Sequence, residues 1–273
     1  MRYFIQFSYR GSDFHGSQIQ PNGVTVQEVL EGAMRTLLRH EVPLTFAGRT
    51  DAGVHALKMV AHFDEDAAWD AEACRTLCHR LNGLLPASIA VREVWPVRSD
   101  AHARYSATSR TYRYFLSTRK EPFLNDRTAR VTDTLDFEAM NRAAARMIGT
   151  HDFQSFCRSH AASKTTICTV TKAEWSQRLA EDEGLEYTYV FTIRADRFLR
   201  NMVRAVVGTL LDVGRGKMTE EDFQAVVDAR NRCAAGQSAP AEGLFLSDIE
   251  YPEEIDSSYL GKASNDRLKP YDS

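Results

Sequence analysis

Tyr3, Ile5, Phe7 and Tyr9 alternate with Phe4, Gln6, Ser8 and Arg10, which predicts a half-buried strand at the start of the chain. Residues 11–23 are rich in Gly, Ser, Asp and Asn and contain Pro21, so they read as a loop. Thr25 with Glu28 three residues later forms a capping box, and Val26, Val29, Leu30, Ala33 and Leu37 recur at helical spacing. Strand-like runs at 44–47 and 57–63 follow, separated by a polar loop. Asp70 can cap a second helix with the stripe Cys74, Leu77, Cys78, Leu81 and Leu85, stopped by Pro86. Residues 89–97 then read as a strand. The predicted order is β-α-β-β-α-β.

The second half repeats that order with longer insertions. Residues 111–117 predict a strand, and Asp136 caps a helix bearing Phe137, Met140, Ala144 and Met147. Two long strands are expected at 165–177 and 185–195, separated by the acidic turn Glu181-Asp182-Glu183-Gly184. Leu199, Met202, Val203, Val206 and Leu210 give a helix ending near Gly214, Thr219 caps another to about Arg230, and 244–251 predicts the last strand. The fold class is α+β: two related units, residues 1–104 and 105–251, whose antiparallel sheets join edge to edge. The polar residues 252–273 read as a loose tail.

Composition narrows the chemistry. No apolar run approaches a membrane span, and Met1-Arg2-Tyr3-Phe4 enters a strand pattern directly, so a cytoplasmic protein is expected. The five cysteines form no CxxC pair. Cys74 and Cys78 sit on an apolar stripe and read as reduced core residues rather than metal ligands, so no metal is expected. The formal charge of −3 looks wrong for a nucleic-acid partner, but 27 of the 34 basic residues are Arg, and they cluster. Seven Arg and one Lys face three acids over residues 98–130, interleaved with Tyr105, Tyr112, Tyr114 and Phe115. Guanidinium forks match phosphate oxygens and aromatic rings stack on bases, so this stretch suggests a looped or single-stranded RNA surface.

One loop carries candidate chemistry. In Ala47-Gly48-Arg49-Thr50-Asp51-Ala52-Gly53-Val54-His55-Ala56, two glycines bracket an acid, a cation precedes it by two residues and a histidine follows by four. The carboxylate could be held on a tight loop between two strands, or Asp51 could simply close a turn. Farther on, Arg197, Arg200 and Arg204 fall at helical spacing and make a basic stripe, with Gly208 leaving space on it.

Taken together, these residues resemble the bacterial tRNA pseudouridine synthase A family. The likeness rests on residues 47–56, then His102-Ala103-Arg104-Tyr105-Ser106-Ala107, Arg110-Thr111-Tyr112-Arg113-Tyr114 and Asp152-Phe153-Gln154-Ser155-Phe156. Asn201-Met202-Val203-Arg204 with Val207-Gly208, and Ala241-Glu242-Gly243-Leu244, complete the order, covering roughly residues 1 to 251. The resemblance implies isomerisation of uridine to pseudouridine at positions 38, 39 and 40 of the tRNA anticodon stem-loop. It also implies two domains about a pseudo-twofold with helices packed on one side of a central sheet, a homodimer building the tRNA cleft, and no cofactor. One departure is Ser17, where such enzymes usually carry Trp. Lying far from the acid motif in sequence, it is expected to bear on packing or an RNA contact rather than on chemistry.

By the same resemblance Asp51 is the nucleophile and Arg204 its charge partner. Tyr112 packs on the target base, and its hydroxyl could help remove the C5 proton. Arg49 stabilises the flipped-out uridine, and Arg104 holds phosphate. A carboxylate suits chemistry that breaks and remakes a glycosidic bond, and it needs a cation nearby when a base desolvates it. Three roles stay open for Asp51 on the sequence: attack at C6, attack at C1′, or abstraction of a ribose proton. His55 is assigned to holding the loop. Two other classes compete: a non-catalytic RNA-binding protein of two RRM-like units, and a small-molecule acid/base enzyme using Asp51 and His55.

Overall fold

The computed structural model describes residues 1–120, 122–158, 165–177 and 188–257. The acidic turn at 181–184 and the tail beyond 257 lie outside the described residues. The first unit comprises β1 (Arg2–Tyr9), α1 (Val26–Leu38), β2 (Thr45–Phe46), β3 (His55–Asp64), α2 (Ala71–Leu84) and β4 (Ile89–Val97). The second comprises β5 (Ser109–Ser117), β6 (Ala129–Arg130), α3 (Phe137–Ala145), β7 (Gly149–Asp152), β8 (Ile167–Gln177), β9 (Thr188–Ala195), α4 (Met202–Gly214), α5 (Glu220–Ala229) and β10 (Leu244–Glu250). A short helix, α6 (Glu253–Ser257), follows; its Ile255 is buried in the first unit's core.

The helices begin where short polar side chains satisfy otherwise unpaired N–H groups. Thr25 accepts from the Glu28 N–H, Asp70 from Ala73 and Asp136 from Ala139. The reciprocal capping box forms at Thr219, where the Asp222 carboxylate also accepts from the Thr219 N–H. Buried Leu30 and Met34 from α1, and Leu77 and Leu81 from α2, pack on the first sheet's core; Met140, Val206 and Phe223 do the same in the second.

The ten described strands form one sheet, eight of them in the order β4-β1-β3-β10-β5-β9-β8-β7, with β2 paired to β3 and β6 to β5. Because β2 pairs with β3 on the side away from β1, the first unit runs β4-β1-β3-β2 and the second repeats it as β10-β5-β9-β8. The units join edge to edge, as the repeated element order suggested, and the joining strand is the last one. β10 lies antiparallel to β5 and parallel to β3, with Phe245 opposite His55 and Leu246 opposite Ala56. It serves both cores: Leu246 and Ile249 enter the first, Leu244 the second. The Asp51 loop crosses the same seam, since Val54, at its end, is buried in the second core.

The basic stripe is not wholly helical. Asn201 takes a left-handed conformation at φ 66°, and α4 begins only at Met202, so Arg197 and Arg200 lie in the segment that precedes the helix and only Arg204 is helical. Gly208 does not leave open space. A Cβ there would lie 1.7 Å from the Gln237 carbonyl oxygen, so the residue admits the segment around 237 against α4.

Candidate active site

Asp51 sits in a turn closed by the Val54 N–H donating to the Asp51 carbonyl at 3.1 Å. Gly53 occupies the third position at φ +79°, a conformation that an L side chain adopts only with strain. Val54 then anchors the exit of the turn in the second core, a burial worth about 1.5–3 kcal/mol. On the entry side Thr50 is buried, its hydroxyl 2.8 Å from the Tyr9 hydroxyl and its N–H donating to Ser17 Oγ at 2.9 Å.

The carboxylate so displayed is 27% exposed and faces two cations from the second unit. Arg204 Nη1 lies 3.7 Å from Oδ2, and Arg200 Nε lies 3.9 Å from Oδ1. Arg204, on the first turn of α4, is itself held by a 2.7 Å bond from its Nε to the Ala239 carbonyl. Its remaining N–H groups are left for the acid and for a ligand. Arg200 is 55% exposed, so its interaction is the more strongly screened.

Tyr112, on β5, meets Phe198 edge-on with ring centroids 5.0 Å apart. Burial pushes its phenol up to about 12, with the Asp51 charge adding to the rise and Arg110 opposing it. It therefore stays protonated at neutral pH. The residue offers a ring face and a protonated hydroxyl beside the Asp51 loop.

The other two predicted site residues stand farther out. Arg49 is exposed, two residues before Asp51, and takes no part in the ion pairs of that carboxylate. Arg104 is exposed on the connector, its guanidinium 5.8 Å from the centre of the Tyr105 ring. Tyr105 is 76% exposed, and the His102 ring lies 4.4 Å away. His102 Nδ1 accepts from the Arg104 and Tyr105 N–H groups, which shapes this loop.

His55 is a structural residue. Its Nδ1 accepts from the Gly11 N–H at 3.1 Å, and its ring stacks on Phe245 at 4.4 Å and 15°, across the β3–β10 seam. Burial lowers its pKa and keeps the imidazole neutral. It thus reinforces the seam rather than pairing with Asp51 as an acid or base. The Cys74 and Cys78 thiols are each pushed up to about 11 by burial, the opposite of what a metal-binding thiolate requires.

Three residues near the acid carry no such role in the sequence pattern. Arg110 donates to the carbonyls of Ala107 at 3.0 Å, Asp196 at 2.8 Å and Arg104, and reaches the Ala47 carbonyl at 3.5 Å. It ties the connector, the end of β9 and the start of the Asp51 loop together. Tyr9 and Ser17 clamp Thr50. Ser17 is remote from the acid in sequence, yet it touches the residue immediately before Asp51. The departure from the usual Trp therefore falls in the support of the acid loop. Arg110 stood in a motif of the resemblance and Ser17 at a departure from it, but neither position announced these bonds; those that reach across the fold span 33 to 86 positions of chain.

The description of the tRNA pseudouridine synthase family matches residues 5–106 and 143–252. The chain is 51% identical over 269 residues to tRNA pseudouridine synthase A of Bacteroides thetaiotaomicron, an alignment covering 98% of this chain and 97% of that protein. It is 52% identical over 255 residues to the protein of the same name from Bacteroides fragilis, covering 93% and 98%. With the counterpart from Halalkalibacterium halodurans the identity is 41% over 245 residues, covering 88% and 89%. The loop that carries Asp51, and α4 that carries Arg204, both lie within the matched segments, and the chain belongs to the tRNA pseudouridine synthase A family.

Proposed function

We propose that this protein isomerises uridine to pseudouridine in tRNA, at positions 38, 39 and 40 of the anticodon stem-loop. The N1–C1′ bond breaks, the uracil turns, and C5 joins C1′; the C5 proton leaves as N1 gains one, so no oxidant or cofactor is consumed. What supports this reading is one arrangement: the Asp51 carboxylate, on a loop of the first unit, faces Arg204 and Arg200 of the second at 3.7 and 3.9 Å, within the electrostatic influence of Tyr112.

Asp51 acts as the nucleophile and is released when the new bond forms. When the base excludes water, Arg204 offsets the cost of leaving the carboxylate in a low-dielectric site. Tyr112 packs its ring on the uracil. A stem uridine must leave its stack at a cost of roughly a few kcal/mol, and Arg49 stabilises the flipped-out state. Arg104 holds backbone phosphate, with Tyr105 beside it. The substrate assignment draws on the names borne by the relatives, and the tRNA cleft is completed in a cytoplasmic homodimer.

The test is release of tritium from uracil C5 in unmodified tRNA, followed by mapping of the product position. Asp51→Asn is expected to abolish release while binding tRNA within about threefold of the parent. Release at the parental rate would remove Asp51 from the nucleophile's role, and tight binding without release by the parent itself would mark a binding protein.

A further inference from the structure

Ser17 is fully buried and makes two hydrogen bonds to a single residue. Its Oγ accepts from the Thr50 N–H at 2.9 Å, and its own N–H donates to the Thr50 carbonyl at 3.2 Å. The Thr50 N–H belongs to the peptide plane before it, and the Thr50 carbonyl to the plane joining it to Asp51. Both planes are thus tethered to one point. A third tether closes the cluster: the Tyr9 phenol lies 2.8 Å from Thr50 Oγ1.

Ser17 is in turn fixed to a rigid element. The first turn of α1 donates to it: Gln27 N–H to the Ser17 carbonyl at 3.0 Å, and Val26 N–H to the Gly16 carbonyl at 3.3 Å. These are N-terminal helix donors that would otherwise lack partners. A continuous hydrogen-bonded path therefore runs from α1 through Ser17 and Thr50 to the backbone of Asp51. On the far side the turn is held by Val54 in the second core.

We infer that Ser17 is a positioning residue for Asp51, acting through Thr50 to set the direction in which the carboxylate leaves its loop. The inference rests on Asp51 being the reacting acid. The role needs an acceptor: the Ser17 hydroxyl accepts the Thr50 N–H, whereas a side chain such as an indole, which donates but cannot accept, could not replace it. Removing the Ser17 acceptor leaves the Thr50 N–H buried without a partner and loosens the Arg49–Thr50 plane, one peptide before Asp51, while the Thr50–Asp51 plane keeps only its bond from the Ser17 N–H. Small misplacement of a reacting group lowers the rate of the chemical step without touching substrate binding elsewhere.

The experiment compares Ser17→Ala, Ser17→Cys and Asp51→Asn in single-turnover tritium release at saturating tRNA, alongside tRNA affinity. Cysteine nearly preserves volume but accepts poorly. Both Ser17 variants are expected to lose about tenfold in single-turnover rate, with tRNA affinity within twofold of the parent. In the parent, hydrogen exchange at the Thr50 amide is expected to be slow, comparable with the amides of β3; this measurement needs no variant to fold. A parental rate in Ser17→Ala or Ser17→Cys, or fast exchange at Thr50, overturns the inference. So does a loss in rate matched by an equal loss in affinity, which marks general damage. If Asp51→Asn keeps the parental rate, the site reading itself fails; if Asp51→Asn is inactive while the Ser17 variants are not, only the positioning role falls.

Discussion

Arg204 meets Asp51 with one arm of its guanidinium, Nη1 to Oδ2 at 3.7 Å, while its Nε is committed to the Ala239 carbonyl at 2.7 Å. The cation is aimed by a backbone group on one side and presents charge on the other. Lysine carries a single ammonium on a flexible stem and cannot do both. Arg204→Lys is therefore expected to lower the single-turnover rate about 100-fold, equivalent to about 2.7 kcal/mol. Arg200→Ala, which removes a more exposed and more distant charge, should cost threefold or less. Equal effects for the two variants would contradict this division of labour.

Tyr112 separates ring from hydroxyl. With the phenol held near 12, Tyr112→Phe should retain activity within about fivefold, and the parent should show no phenol ionisation in its rate profile between pH 7 and about 10. Tyr112→Ala removes the surface expected to pack on uracil and should lose about 10- to 100-fold, on the scale of one to three kcal/mol per stacked base. Loss of activity in the Phe variant equal to that in Ala would return the hydroxyl to the chemistry.

Gly208 links stability to the site. A Cβ there would lie 1.7 Å from the Gln237 backbone oxygen, and the same segment supplies the Ala239 carbonyl that aims Arg204. Gly208→Ala is expected to cost about 2–3 kcal/mol, a fall of roughly 5–10 °C in Tm by differential scanning calorimetry. The surviving folded enzyme should also be slower. A change in Tm below 2 °C would show that the segment yields without cost.

His62 supplies a pH dependence of stability. It is buried, and desolvation, with Arg2 and His102 nearby, lowers its pKa from 6.5 to about 4, against a small opposing pull from Asp64. Its Nδ1 also accepts from the Ala103 N–H, a bond that protonation would break. Because the folded pKa lies below the unfolded one, the stabilising contribution is complete above pH 6.5. It is lost as pH falls from 6.5 to about 4, by roughly 3 kcal/mol. Urea unfolding of the parent and of His62→Gln at pH 7.5, 6 and 5 should show a gap that closes toward low pH. A constant gap would contradict the linkage.

The local elements were legible because their signals are local. Thr25, Asp70, Asp136 and Thr219 each capped a helix where their spacing to apolar stripes indicated. The start of α4 was not. Leu199 and Met202 keep the apolar period, so the pattern runs on through Arg200, but Asn201 breaks the helix in a left-handed conformation that Asn tolerates without any Gly or Pro to announce it. The Arg200–Asp51 approach follows from that break. At the site, Asp51, Tyr112 and Arg204 were recognisable through family order, whereas Ser17 and Arg110 act through backbone atoms of distant residues. A hydroxyl bonded to a main-chain N–H leaves no mark on the sequence of the residue it holds.

The seam strand also sets when the enzyme comes into being. A growing chain contains Asp51 early and Arg204 much later, yet the strand that lies between β3 and β5 is not made until residues 244–250. Until then the two halves have no shared edge, and His55 has no Phe245 to stack upon. Synthesis thus orders the assembly: a ribosome-bound chain stopped before Leu244 holds both Asp51 and Arg204 but lacks the strand that joins β3 to β5.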